Sequence, residues 1–358
     1  MRSVARKMPE GVKVYLRPLV RGKRFPDFLI IGAQKAGTTW LHRNLQAHPQ
    51  IWMPKEKELH YFDEKLGAKT SLKSKLWGKR AMDERWRRQV RRQIGGYSTF
   101  SASDIAWDLR YFLGSWNDDW YASLFTQGRD KTAGETTPDY SVLGRKRTAH
   151  VHEIMPQAKI IFMMRNPIER AWSQSLMDVR ERDLEEVTDE EFYRHFESKR
   201  SRMFTDYART LENWGAFFPE DRIFVGFLED VHFYPNRLLA RLYRFLGVDP
   251  SADYRVIKRK IHSRDVETMP TRLAVGLAQS YLENARALEE RFGGYATFWR
   301  HSAERLAEDP PAEERIAYPL WESQLWDGWI KESGLNPAPG SREAGPQSGP
   351  LPTVRVAR

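Results

Sequence analysis

The sequence predicts an α/β protein: a doubly wound parallel sheet with helices on both faces, stacked as a three-layer sandwich. Three observations carry that reading. Short, nearly continuous apolar runs at residues 28–31, 159–164 and 222–228 have the length and flanks of strands buried on both faces. Stretches of helical period separate them, the alternation that builds parallel sheets. The 13 Trp, 14 Tyr and 18 Phe among 358 residues supply ample material for one large core.

In chain order, residues 1–25 form a basic lead-in, 26–333 a single domain and 334–358 a Pro-, Gly- and Ser-rich tail too poor in apolar residues to fold. Pro26 precedes the first strand and Gly32 ends it. Residues 39–47 read as a helix with Trp40, Leu41 and Leu45 facing inward, closed by His48-Pro49. Residues 65–130 are a basic and aromatic-rich insertion, helical in part over 107–125. Residues 135–140 read as a strand end and loop, and 150–155 as a helix stopped by Pro156. Pro167 opens a helix running to 179, because proline is pre-set for a first turn. Residues 206–217 are amphipathic, 235–246 form a helix closed by Gly247, and 271–300 are helical again.

Composition narrows the function classes. With no cysteine, the chain has no disulfide framework, thiol nucleophile or cysteine-ligated metal. No apolar run approaches the length of a membrane span, and the N-terminus lacks the apolar core of a secretory signal, so a cytoplasmic protein is expected. The net charge of +10 is concentrated: residues 65–93 hold eleven basic residues against Asp83 and Glu84, leaving the rest of the chain at +1. A nucleic-acid binder with a uniformly basic surface is therefore not expected. The segment points to an anionic substrate or a membrane surface, with a solvated helical face as the equally weighted alternative.

The chemistry begins at Gly32-Ala33-Gln34-Lys35-Ala36-Gly37-Thr38-Thr39-Trp40. Two glycines five apart let successive N–H groups point into one concavity, the following helix N-terminus adds partial positive charge, and Lys35 adds a full one. Strand, loop, helix is the context such a phosphate cradle requires. It is not the G-x-x-x-x-G-K-[ST] loop of P-loop NTPases, in which lysine follows the second glycine; in this chain Thr38 stands there and Lys35 lies two residues before Gly37. The second string, Arg165-Asn166-Pro167-Ile168-Glu169-Arg170-Ala171-Trp172-Ser173, puts Arg165 at the carboxyl end of a strand, where doubly wound sheets bind ligands. Arg165 and Ser173 on adjoining elements can share one phosphate. Between the two lies Glu58-Leu59-His60-Tyr61-Phe62-Asp63, whose acids and imidazole suit proton transfer.

The displaced lysine and the second string resemble the 5′-phosphosulfate loop and the 3′-phosphate motif, R-[ND]-P-x-x-R-x-x-S, of sulfotransferases that use 3′-phosphoadenosine 5′-phosphosulfate (PAPS). The similarity is closest to the branch of heparan sulfate N- and O-sulfotransferases and bacterial relatives. It implies a P-loop NTPase-like fold, PAPS as sulfuryl donor, PAP as product and no metal. It implies that Lys35, Ala36, Gly37, Thr38, Thr39 and Trp40 bind the 5′ side of the donor, that Arg165 and Ser173 bind its 3′-phosphate, and that Arg264, in a basic loop, closes over the nucleotide. Glu58 matches the family's base in E-[VL]-H-[FY]-F-[DN], with Lys35 stabilising the leaving phosphate and His60 orienting Glu58 or the acceptor, since an extended Glu58-x-His60 pair would share one face. Glu135-Thr136-Thr137-Pro138-Asp139-Tyr140 is similar to E-K-[ST]-P-x-Y; Thr136 stands where many members carry lysine, and a residue of the basic segment would substitute. Glu135 and Asp63 are the acceptor-site candidates. The acceptor is a hydroxyl or amine, a glycan by preference. Trp107, Trp116, Trp120 and Tyr121 either stack on sugar faces or pack the core. A P-loop-type kinase and a non-catalytic polyanion-binding protein are the alternatives.

Overall fold

The computed structural model describes residues 23–63, 76–79, 83–84, 86–88, 90–91, 101–114, 116–252, 256 and 266–333. Most of the basic segment 65–93, Arg264 with its basic loop, nearly all of the lead-in and the tail 334–358 lie outside these residues.

Strand β1 (Phe28–Gly32) is buried at all five positions, and β4 (Lys159–Met164) at five of six. Strands that apolar need cover on both faces, which the helices supply. With β2 (Ile51–Trp52), β3 (Thr132–Thr136) and β5 (Ile223–Phe227) they form a five-stranded sheet in the order β2-β3-β1-β4-β5. Every pairing is parallel, with Leu29 opposite Glu135 on one side and Ile160 on the other. Gly32, Thr136, Met164 and Phe227 therefore end at one edge, and the chain changes direction of travel beside β1. That edge is where ligands of open α/β sheets bind.

Helix α1 (Thr38–Ala47) follows β1, and α2 (Ala102–Leu113) and α3 (Asp118–Ser123) lie between β2 and β3. Helix α4 (Arg145–Ile154) precedes β4, and α5 (Pro167–Asp178) follows it, opened by Pro167 and capped by the Asn166 side chain, which accepts from the Ile168 N–H at 3.0 Å. Helices α6 (Asp189–Glu197), α7 (Lys199–Thr205) and α8 (Tyr207–Gly215) lead to β5. Beyond it come α9 (Leu228–Phe233) and α10 (Pro235–Leu246), and Gly247 closes α10 in the left-handed conformation, as its position predicts. The expected single helix over 271–300 is two, α11 (Thr271–Phe292) and α12 (Tyr295–Glu308), because Gly293 and Gly294 both take positive φ and turn the chain back. A small antiparallel pair, β6 (Thr268–Pro270) and β7 (Arg315–Ala317), and α13 (Gln324–Glu332) complete the fold.

Trp107, Trp120 and Tyr121 are 1%, 5% and 0% exposed, so of the two readings of these aromatics the core one holds. Trp116 is half-buried and stacks on Trp120 at 4.9 Å. The C-terminal helices are fastened to the sheet edge through Glu229, fully buried at the start of α9, which accepts from the Trp299 indole N–H at 2.5 Å. Burial first, and then the charge of Glu169, push its carboxyl from the ordinary 4.5 up to about 8. Between those two values the unfolded chain releases a proton that the folded chain keeps, so stability falls as pH rises through that window. Glu229→Gln retains an acceptor for Trp299 and should flatten this fall. Melting temperatures from pH 5 to 8 check it, and an unchanged slope would contradict the account.

Candidate active site

The β1–α1 loop turns on glycine. Gly37 has φ +82, where a side chain is strained, and a Cβ there would lie 2.9 Å from Leu228. Gly37 is also the N-cap of α1 and offers no side chain to its first turn. A helix N-terminus of this kind suits an anion. Thr38 is buried and Thr39 half-buried in this turn, and Trp40 buries its indole in the core. Ala36 is buried, its N–H donating to Ala33 O at 3.2 Å. Lys35, at φ +72, has its ammonium lowered to about 8 by burial first and by the Arg165 charge second. A lysine so placed stays mostly protonated at neutral pH yet gives up its proton far more readily than an ordinary one.

Arg165 leaves the end of β4 only 6% exposed. Its Nε and Nη2 donate to Glu169 Oε2 at 3.0 and 2.8 Å, its Nη1 to Lys35 O at 3.3 Å, and its Nη2 to the Tyr318 hydroxyl at 2.7 Å. Ser173, two turns into α5 and half-buried, lies beside the same phenol. Sequence reasoning placed Arg165 and Ser173 together, and in the fold they meet at Tyr318. That tyrosine lies outside both motifs, and no local pattern marks it.

The loop carrying Glu58 is held to the sheet by its own backbone, the Glu58 N–H donating to Thr136 O at 2.9 Å. Tyr61 and Phe62 anchor it in the aromatic core: the Tyr61 N–H donates to the Tyr140 hydroxyl at 2.9 Å, and its phenol stacks on Tyr121 at 4.7 Å. The pair Glu58-x-His60 is not extended, as the sequence suggested. Both residues take positive φ, +68 and +57, a conformation that costs a non-glycine residue about 1 kcal/mol or more and persists only where packing imposes it. The side chains still meet, with His60 Nε2 3.7 Å from Glu58 Oε2 and His60 Nδ1 2.7 Å from Asp63 Oδ2. Lys57 hydrogen-bonds Glu58 from the other side.

These neighbours set the protonation states. Burial alone would raise Glu58, but hydrogen bonds from His60 and Lys57 outweigh it and lower the carboxyl to about 2. Burial would likewise lower His60, but its bonds to Asp63 and Glu58 raise it to about 10, which makes it an imidazolium at neutral pH. Thr136 is fully buried and pairs its hydroxyl with His42 Nδ1 at 3.0 Å. Lys57, one residue from Glu58 and electrostatically coupled to Lys35, supplies the cation nearest to it.

Two candidates change role. Glu135 is fully buried, with Tyr121, Thr137 at 2.7 Å and Tyr140 at 2.8 Å all donating to its carboxylate, which leaves no face of it for an acceptor. It holds the aromatic wall in place. Asp63 orients His60 rather than opening to the surface. His60, Asp63 and Asp139 also form a trio with ligand atoms within 4.8 Å of one another, a spacing a metal ion could bridge, and Arg200 pairs with Asp139 at 2.7 Å.

The carboxyl edge of this parallel sheet gathers a glycine-capped helix N-terminus, a desolvated lysine and a buried arginine, a set of cationic and N–H groups suited to an anion. The description "Sulfotransferase family" applies to residues 26–253 by a family model, well over half of the sequence, and the chain belongs to that family. Over 150 residues it is 29% identical to the membrane-associated sulfotransferase kil1 of Dictyostelium discoideum, covering 42% of this chain and 22% of that protein. Over 171 residues it is 25% identical to carbohydrate sulfotransferase 15 of Rattus norvegicus, covering 44% and 29%. The chain thus matches less than a third of the length of these relatives. The crystal structure of a sulfotransferase from Alicyclobacillus acidocaldarius is 23% identical with a TM-score of 0.48, covering 74% of this chain and 94% of that one.

If Asp63 and Glu58 hold the proton on His60, its imidazole should remain charged through the range in which ordinary histidines titrate. Histidine NMR from pH 5 to 9 should find one ring that stays charged throughout, distinct from His42, which burial lowers to about 4 and keeps neutral, and Asp63→Asn should bring the charged ring back toward neutrality. A His60 that titrates near 6.5 in the unaltered protein would contradict the arrangement.

Proposed function

We propose that this protein transfers the sulfuryl group of PAPS to a hydroxyl or amine of an acceptor, a glycan by preference, without a metal. The observation that carries the proposal is the meeting of Lys35 and Arg165, from separate strands, beside the loop that carries Glu58. The N–H groups of the first turn of α1, with Thr38 and Thr39, would hold the 5′-phosphosulfate. Arg165, through the N–H of Nη1 that Lys35 does not take, and Ser173 would hold the 3′-phosphate.

The reaction follows from those placements. The acceptor oxygen or nitrogen attacks sulfur in line; the bond from sulfur to the 5′-phosphate oxygen breaks, and PAP departs with that electron pair. Lys35, lowered to about 8, lies where the charge develops and can share its proton with the leaving oxygen. Glu58 takes the acceptor's proton. Bound by Lys57 and His60 its carboxylate is weakly basic, so an acceptor hydroxyl that displaces Lys57 from Oε1 both reaches the base and restores its basicity. His60, fixed by Asp63, keeps Glu58 in position, and Lys57 supplies the charge that many relatives carry at the position of Thr136. The name of the rat relative supports a carbohydrate acceptor, and that of kil1 supports association with a membrane, for which the basic segment of this chain would supply the contact on the cytoplasmic side. No helix among the described residues is long and apolar enough to cross a membrane.

A PAPS-consuming transfer assay over a panel of glycans and simple hydroxyl compounds tests this. Lys35→Ala should lower turnover by about a hundredfold or more. Glu58→Gln should lose turnover while PAP affinity stays unchanged, and EDTA should leave the rate intact. Near-normal turnover in Lys35→Ala would overturn the role of that lysine, and loss of activity in EDTA would overturn the metal-free reaction.

A further inference from the structure

The family match ends at residue 253, yet the group nearest to the free side of Arg165 comes from residue 318. Three features place Tyr318 there. Its hydroxyl accepts from Arg165 Nη2 at 2.7 Å, and the guanidinium lies over its ring with 5.3 Å to the centroid. Ser173 lies beside the same phenol. The backbone that carries it is fixed at both ends: the Tyr318 N–H donates to Glu267 O at 2.8 Å, and the Leu320 N–H donates to Glu169 Oε1 at 2.7 Å. Glu169 thus holds Arg165 with one oxygen and the Tyr318 segment with the other.

A phenol oxygen has two lone pairs and one proton. With Arg165 donating to it, the phenol keeps its own proton to give. That proton, the second N–H of Arg165 Nη1 and the hydroxyl of Ser173 are three donors of the kind that bind a phosphate monoester. Nothing in the two sequence motifs calls for a third donor from the C-terminal segment.

We propose that Tyr318 is a binding residue for the 3′-phosphate of the donor, so that residues beyond the family-matched region complete the nucleotide site and set its preference for 3′-phosphorylated nucleotides. This rests on PAPS being the donor. The probes are PAP and adenosine 5′-monophosphate, which differ only in the 3′-phosphate. By calorimetric titration, Tyr318→Phe, which keeps the ring over Arg165, should weaken PAP binding about tenfold, the expected loss of one hydrogen bond to a charged group, and leave adenosine 5′-monophosphate unchanged. Equal weakening of both nucleotides would make Tyr318 a structural prop and overturn the assignment, as would undiminished PAP affinity. If the unaltered protein shows no preference for PAP, the donor reading fails, and this assignment with it. A preference for PAP that is undiminished in Tyr318→Phe overturns the assignment alone.

Discussion

The buried ion pair between Arg165 and Glu169 fixes the geometry on which the rest of the site depends. Glu169 is fully buried and Arg165 nearly so. Removing either partner would leave a charge without compensation in a medium that solvates it poorly, a loss of about 3–5 kcal/mol. The pair is also a junction. Through Arg165 it ties the end of β4 to the backbone of the β1–α1 loop, and through Glu169 to the segment at Leu320. Three parts of the chain more than 100 residues apart are brought to one edge of the sheet by two side chains four residues apart, one just past the end of β4 and one in the first turn of α5.

A second line of charges, Lys57, Glu58, His60 and Asp63, alternates in sign and faces the first. Each member decides the protonation of the next: the lysine and imidazolium keep Glu58 ionised, and the carboxylates keep His60 charged. The order has a conformational cost, since both Glu58 and His60 sit in the left-handed region. The aromatic packing of Tyr61 and Phe62 against Tyr121 and Tyr140 holds them there, which is why a wall of buried rings stands directly behind the polar loop.

Much of this was legible in the sequence because it depends on local pattern. The runs at Phe28 and Lys159 announce buried strands, Pro167 and Gly247 mark helix ends, and the Gly32–Trp40 and Arg165–Ser173 strings carry phosphate chemistry in their spacing. What was not legible depends on long-range contact. Tyr318 reaches Arg165 across 153 positions, and no period or motif points from one to the other. Glu135 sits in a string that suggests a site, and only the three hydroxyls folded around it show that it is structural. The approach of Glu58 to His60 was expected for the wrong reason: alternation along an extended strand predicts a shared face, whereas the chain achieves it by two left-handed residues. Periodicity describes regular backbone, and these residues lie in irregular backbone.

The central claim is that the edge of this sheet is a receptacle for a 3′-phosphorylated nucleotide that needs no metal. Calorimetric titration of the purified protein with PAP and with ATP, each with and without Mg²⁺, tests it most directly. The account predicts tight PAP binding that is independent of Mg²⁺ and weak binding of ATP under either condition. Preferential binding of ATP with Mg²⁺ would contradict it, and would make Lys35 and Arg165 parts of a nucleoside triphosphate site instead.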